Sequence, residues 1–333
     1  MSDRFLRRTR EIREEAERAL APAAARSFES KGREVDEEPD EFRTAFERDR
    51  DRIVHTKAFR RLKHKTQVFL NPEGDHYVTR LTHTLQVTQV GRSLAAALGL
   101  NEALTEAICL GHDVGHSPFG HTGEDALTPY VGTDWLHSAH SVRVLSLLEP
   151  QNLTLEVLDG IRAHSWRVSP PPITQEGMLC RFADRIAYLT HDVADAIRAD
   201  ILGLSDLPAA AVQRFGDQSR LWINAMIGAV VDFSLEAGEV SMDPETLGIM
   251  NELRNFMFER VYLRPEAETQ RIRAVAVIKS LVDYFAAHPE EVPPSTTVPE
   301  ADSVTAAIDF VAGMTDRYAI TTYDGLFRPR LFN

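Results

Sequence analysis

Ala107-Ile108-Cys109-Leu110-Gly111-His112-Asp113-Val114-Gly115-His116-Ser117-Pro118-Phe119-Gly120-His121-Thr122-Gly123-Glu124 is the stretch on which the reading of this chain turns. An apolar, helix-like run passes directly into polar sequence punctuated by glycine. The His112-Asp113 pair falls at that helix end, where side chains about 100° apart can still reach one point. Gly111, Gly115 and Gly120 permit close backbone turns, and Pro118 stops the helix from continuing. Three histidines and two acids lie within thirteen residues, His112 to Glu124. His137 follows, and His83 stands upstream in Thr79-Arg80-Leu81-Thr82-His83. Imidazole nitrogen with carboxylate oxygen suits a catalytic divalent ion with open positions better than a closed structural zinc. A single His-Asp pair reads equally well as a buried histidine bonded to a backbone carbonyl, but packing explains the whole cluster poorly. Cys109 and Cys180, one turn before Asp113 and Asp184, are rival ligands. Small apolar fillers are the commoner role for such cysteines.

Outward from this stretch, apolar residues recur three and four apart from Phe42 onward, and strand-like alternation is scarce. The periodicity predicts an all-α chain. Helices are expected at about 44–64, 78–98, 101–113, 137–148, 152–164, 176–201, 209–235, 244–262, 266–287 and 302–318. Asn101 caps the helix that starts after Gly99, and Asp243 precedes a proline at the first helical position. Pro150 closes the helix before it. Residues 3–20 read as a solvated helical arm, 27–41 as a polar loop, and Pro289–Pro299 as a flexible loop.

The chain has 333 residues, with 43% hydrophobic and 26% charged, the balance of a folded globular protein. No stretch approaches the roughly 20 apolar residues of a membrane-spanning helix. The N-terminus lacks the apolar core of a signal peptide, and two cysteines build no disulfide scaffold, so a reducing cytoplasm is expected. A net charge of −13 argues against nucleic acid as an obligatory partner, apart from local basic patches such as 57–65. A small phosphorylated ligand needs only a local basic pocket and stays open.

Four blocks together resemble the HD-domain phosphohydrolases, and specifically the deoxyguanosine triphosphate triphosphohydrolase family. They are Glu47–His55, Phe59–Phe69, Gly111–His121 and Gly313-Met314-Thr315-Asp316-Arg317-Tyr318-Ala319, and they span nearly the whole chain. The resemblance implies an all-α HD-domain helical phosphohydrolase fold. It divides the chain into an N-terminal arm and loop (1–45), an HD core (46–235) and a C-terminal helical extension (236–333) that completes the nucleotide site.

Carried over residue by residue, the metal ligands fall on His83, His112, Asp113 and Asp184, leaving about two octahedral positions open. The ion is expected to be manganese or magnesium, with iron, cobalt, nickel or zinc as other candidates. The catalytic group maps to His121, Glu124 and His137. Water is expected to attack the α-phosphorus and triphosphate to depart whole, with a protonated His121 donating to the 5′-oxygen. Glu124, one turn on, is expected to hold His121 and raise its pKa, while His137 relays or orients the proton. Arg80, His116, Arg185, Tyr188 and Arg254 resemble the phosphate-binding residues. Gln67 and Asp192 resemble those that bond the sugar 3′-hydroxyl, and Tyr262 the ring that packs against C2′. Relatives are often tetramers or hexamers, so a homo-oligomer is expected. Two other readings are an HD phosphatase on nucleoside monophosphates or another phosphate ester, and a catalytically silent nucleotide-binding sensor.

Overall fold

The computed structural model describes residues 5–67, 78–217 and 219–329. Val68 and Phe69 at the end of the Phe59–Phe69 block, residues 3 and 4 of the N-terminal arm, and Gln218 lie outside the described residues. The described residues form α-helices, turns and two isolated β-bridges, with no strand. The helices are α1 (Arg10–Glu17), α2 (Ala45–His55), α3 (Lys57–Arg61), α4 (Arg80–Leu98), α5 (Glu102–Gly111), α6 (His121–Val131), α7 (His137–Arg143) and α8 (Leu155–Ala163). They continue with α9 (Gln175–Arg198), α10 (Ala209–Phe215), α11 (Ser219–Ala237), α12 (Pro244–Met257), α13 (Pro265–Ala287), α14 (Ser303–Ala312) and α15 (Asp316–Phe327).

The all-α reading holds, and several expected caps form. Asn101 accepts from the amides of Ala103 and Leu104, and Asp243 accepts from Thr246 with Pro244 at the first helical position. α4 ends on Gly99, whose φ of 66° is the left-handed conformation that glycine adopts without strain. Elsewhere the boundaries differ for local reasons. The expected 44–64 helix breaks at Thr56, which leaves the helical conformation and caps α3 through the Phe59 amide. The 209–235 helix breaks at Gly216, and Thr315 starts α15 by capping Tyr318. Helix α6 was not anticipated, because the glycines and Pro118 read as loop and Pro129 sits inside the helix itself.

α4, α5 and α9 pack on one another at the centre, with α2 and α8 against α5 and α11 against α9. Val87, Val90, Leu94, Leu104, Ile108, Leu179 and Ile186 are buried between them. Each such side chain contributes roughly 1.5–3 kcal/mol on leaving water. A second apolar cluster joins Phe119, Leu127 and Trp135 to Ile278, Leu281, Phe310 and Val311, so α13 and α14 close over α6.

The loop between α5 and α6 is clamped from the C-terminal helices. Asp316 is buried, and its Oδ1 accepts from the Phe119 amide at 3.0 Å. Its Oδ2 accepts from the Thr66 amide at 3.0 Å and from the Thr66 hydroxyl. Phe119 has φ of 62°, unusual for a residue with a bulky side chain, and the Asp316 bond holds it there. Buried Lys65 donates to the carbonyls of His116 and Ala312. Lys65 and Thr66 of the Phe59–Phe69 block and Asp316 of the Gly313–Ala319 block therefore meet at the loop between α5 and α6. At Gly115 a Cβ would stand 2.2 Å from the Ser141 amide nitrogen, so α7 can pack there only over glycine.

Replacing Asp316 with alanine leaves buried donors at Phe119 and Thr66 without acceptors. The expected loss is about 2–4 kcal/mol, read as a fall in the urea midpoint, with Thr66→Val losing less. Equal midpoints for wild type and Asp316→Ala would show that the clamp carries no stability.

Candidate active site and metal centre

Three central helices deliver the expected ligands to one place. His83 comes from the first turns of α4, His112 and Asp113 from the end of α5, and Asp184 from the middle of α9. His83 Nε2 is 3.1 Å from Asp184 Oδ1 and 3.9 Å from Asp113 Oδ2, and Asp113 Oδ1 is 3.7 Å from His112 Nε2. His83, His112 and Asp184 offer ligand atoms within 4.8 Å of one another. His112 Nδ1 lies 2.7 Å from the Cys109 carbonyl. A carbonyl only accepts, so Nδ1 carries the hydrogen and Nε2 is a bare lone pair. That Nε2 is buried without a partner, which is the state of a ligand atom facing a cation. The donor set fits a divalent ion.

Asp113 is itself buried, and Arg80 NH1 donates to its Oδ2 at 2.7 Å. Burial alone would push this carboxyl up, but His112 and Arg80 outweigh it and hold it well below the usual carboxylate range. Cys109 and Cys180 are buried, and the Cys180 thiol is pushed up by its hydrogen bond with Cys109 and by burial. Neither belongs to a candidate metal group among the described residues. They fill the contact between α4, α5 and α9.

The remaining histidines form a second layer. Glu124 is directed at His137 rather than at His121. Its Oε1 accepts from His137 Nδ1 at 2.6 Å and from the His137 amide at 2.8 Å. Burial opposes the charge on each partner, yet Glu124 raises the His137 pKa and His137 holds Glu124 down at about 2. His121 is the exposed residue of the group, yet its pKa is lowered, first by the dense protein around its ring, with Glu124 working against the shift and His137 and Arg80 adding to it. The opposing charge of Glu124 does raise the His121 pKa as expected, but burial outweighs it, and the expectation that Glu124 holds His121 is corrected, since Glu124 bonds His137 instead. His116 stacks on His137 with ring centroids 4.5 Å apart, and both its ring nitrogens are buried without partners. Burial and Arg80 keep it neutral.

The expected substrate residues gather beside this cluster. Arg185 lies one residue after Asp184 on α9, bonds Asn251 at 2.9 Å and stacks 4.5 Å over Trp166. Tyr188, one turn further, is pushed up to about 12 by burial, with Arg185, Asp184 and Arg254 as its charged neighbours. Arg254 lies 4.8 Å over the Phe258 ring. The chain then widens into a π-helical turn at Phe258–Tyr262, which brings the Tyr262 hydroxyl to 2.5 Å from Asp192 Oδ2. Gln67 has a buried, unpartnered Oε1, and its carbonyl lies close to Gly120. Arg80 keeps Nε and NH2 buried and unpartnered beyond its bond to Asp113. A separate cleft of about 300 Å³ lined by Arg61, His140, Asp309 and Tyr318 contains none of these residues.

Two histidines were missed. His164 Nε2 is 3.0 Å from His137 Nε2, and its Nδ1 is 2.7 Å from the Ile161 carbonyl. The signal was present, since Ala163-His164 ends the apolar helix α8 as Gly111-His112 ends α5. His191 Nε2 is 3.0 Å from His83 Nδ1, and its own Nδ1 lies 2.8 Å from Asp192 without hydrogen-bond alignment. His191-Asp192 repeats the His-Asp dipeptide of the central motif.

The HD domain model matches residues 80–189, and a phosphohydrolase-associated domain matches 240–325. A deoxyguanosinetriphosphate triphosphohydrolase-like protein of Caldanaerobacter subterraneus subsp. tengcongensis is 46% identical over 329 residues, covering 97% of this chain and 96% of the relative. Relatives of the same description from Desulfatibacillum aliphaticivorans and Clostridium perfringens are each 43% identical, covering 93% of this chain and 95% of theirs. The chain belongs to the deoxyguanosinetriphosphate triphosphohydrolase-like family of HD-domain phosphohydrolases. The HD match encloses His83, His112, Asp113 and Asp184, while the associated segment carries Arg254, Tyr262 and Asp316.

In this HD-domain protein the Glu124 carboxyl, about 2 when folded against 4.5 when free, binds fewer protons in the native state over that interval. Its stabilisation is present above pH 4.5 and is lost as pH falls towards 2. Glu124→Gln therefore flattens the fall of the urea midpoint in that window, followed by circular dichroism. An unchanged slope would assign acid sensitivity elsewhere.

Proposed function

We propose that this chain hydrolyses deoxynucleoside triphosphates, of the dGTP type, to the deoxynucleoside and inorganic triphosphate with a divalent metal ion. The observation that carries the proposal is the meeting of a His/Asp cluster with Arg80, Arg185, Arg254 and Tyr188, and with the Asp192–Tyr262 pair beyond them. The printed names of the relatives support the same substrate class.

His83, His112, Asp113 and Asp184 would hold the ion. When bound, it supplies charge neutralisation on phosphate and makes water more acidic. Arg185, Arg254 and the free donors of Arg80 match a tetra-anionic polyphosphate, a charge for which guanidinium forks are suited. Attack at the α-phosphorus expels the nucleoside 5′-oxygen, a strongly basic alkoxide unless it is protonated. His121 is the accessible imidazole of the group and the general acid for that oxygen. Bound polyphosphate places negative charge beside it and counteracts the lowering of its pKa in the free protein. Glu124 fixes His137, which backs His121 with a second, more basic imidazole. Gln67 and Asp192 address the 3′-hydroxyl, and the Tyr262 ring, pinned through its hydroxyl to Asp192, packs where a ribose 2′-hydroxyl would stand.

Product analysis on a panel of deoxy- and ribonucleoside triphosphates with manganese or magnesium tests the reaction. Intact triphosphate plus deoxynucleoside is expected from wild type and is lost in His112→Ala. Orthophosphate or pyrophosphate would overturn attack at the α-phosphorus. Tyr262→Ala is expected to lower the preference for deoxyribose by about tenfold or more in kcat/KM. A preference left intact would remove Tyr262 from sugar selection.

A further inference from the structure

Arg185 is held by a ring and an amide rather than by a carboxylate. It is buried, and its guanidinium carbon stands 4.5 Å over the centroid of the Trp166 ring. Its NH1 donates to the uncharged Oδ1 of Asn251 on α12 at 2.9 Å, and its Nε is buried without a partner. Arg80 and Arg143, by contrast, are paired with Asp113 and Asp309. Among the described residues no carboxylate forms an ion pair with Arg185.

Trp166 lies in the connection between α8 and α9, and that connection is tied down without help from Arg185. Arg181, one turn earlier on α9, donates from Nε to the Ala163 carbonyl at 2.7 Å and from NH2 to the Val168 carbonyl at 2.9 Å. The indole Nε1 donates to the Arg181 carbonyl at 3.2 Å, and the ring meets Phe182 edge-on with centroids 5.2 Å apart. Trp135 and Trp222 are buried, whereas Trp166 is 38% exposed, so core packing does not account for it.

A carboxylate would occupy the in-plane donors of Arg185 and cancel the charge that a polyphosphate needs. An aromatic face covers only the flat side of a guanidinium and leaves its edge and its charge in play. We infer that Trp166 is a positioning residue, a fixed platform that sets the plane of the Arg185 guanidinium for a polyphosphate ligand. The inference rests on the phosphohydrolase reading of the same pocket and deepens it. A side chain already fixed loses less rotamer freedom on meeting phosphate, so the platform strengthens binding without touching the ligand. The phosphate charge is present before and during the reaction, so the effect falls on KM more than on kcat.

The test is calorimetric titration of the full chain, with manganese present, by inorganic triphosphate and separately by deoxyguanosine, beside kinetics on dGTP. Trp166→Leu is expected to weaken triphosphate binding about tenfold and to raise KM for dGTP to match. Deoxyguanosine affinity is expected to stay unchanged and kcat to move much less. Trp166→Phe, which keeps a ring in place, is expected to recover most of the loss. In an Arg185→Gln background, Trp166→Leu is expected to cost nothing further. Triphosphate affinity kept in Trp166→Leu, an equal loss for deoxyguanosine, or the full loss persisting beside Arg185→Gln would each overturn the assignment. Tryptophan emission decides even where Trp166→Leu fails to fold, since Trp166 is the exposed indole. Inorganic triphosphate is expected to alter that emission in wild type and not in Arg185→Gln, and a wild-type signal indifferent to triphosphate would overturn the assignment. Orthophosphate or pyrophosphate as product, with triphosphate affinity still lost in Trp166→Leu, would remove the proposed reaction and leave the platform standing. Intact triphosphate released by wild type and Trp166→Leu at the same KM would do the reverse.

Discussion

Asp113 is a carboxylate taken almost completely out of water, and the centre of the molecule is arranged so that it stays ionised. Burying such a charge costs several kcal/mol unless opposing charge and hydrogen bonds offset it. Arg80 does so from the first residue of α4, donating at 2.7 Å, while His112 and His137 approach from the end of α5 and the start of α7. Arg80 is equally buried and equally dependent on its partner. The start of one helix and the end of another are thus locked together by charge as well as by the apolar contacts beneath them. Metal-ligating geometry follows from that lock.

Helix ends also orient the imidazoles. The last carbonyls of an α-helix have no partner within the helix. His112 uses the one at Cys109 and His164 the one at Ile161, each three residues back. A group that would otherwise be left unsatisfied fixes the tautomer and aims Nε2 inward. Terminating α5 and α8 at the same centre therefore turns two imidazoles towards it from surroundings that are otherwise apolar.

The C-terminal helices complete this arrangement rather than merely covering it. Asp316 and Lys65 hold the loop that carries His116 and His121, with Phe119 kept at a positive φ. From the other side, the π-helical turn after α12 brings Tyr262 onto Asp192. Asp192 neighbours His191, which touches His83. The groups assigned to the sugar and to the metal are thereby linked through one short polar chain.

Local order determined much of what could be read early. Apolar spacing decided the all-α class, Asn101 and Asp243 decided where helices start, and the density of His and Asp around residue 112 marked the site. The Thr56 break and helix α6 were hidden, because a capping hydroxyl inside a helical pattern and glycines inside a helix mislead a reading by periodicity. Partner choice was hidden for a deeper reason. Glu124 could reach His121 one turn away, yet it bonds His137, thirteen positions on. His164 and His191 join the cluster from α8 and α9. The sequence by itself determined helices, caps and which chemistry was stocked in the chain, since those depend on neighbours within a turn or two. Which imidazole meets which carboxylate was decided only by tertiary packing, because helix contacts, not chain proximity, set those distances.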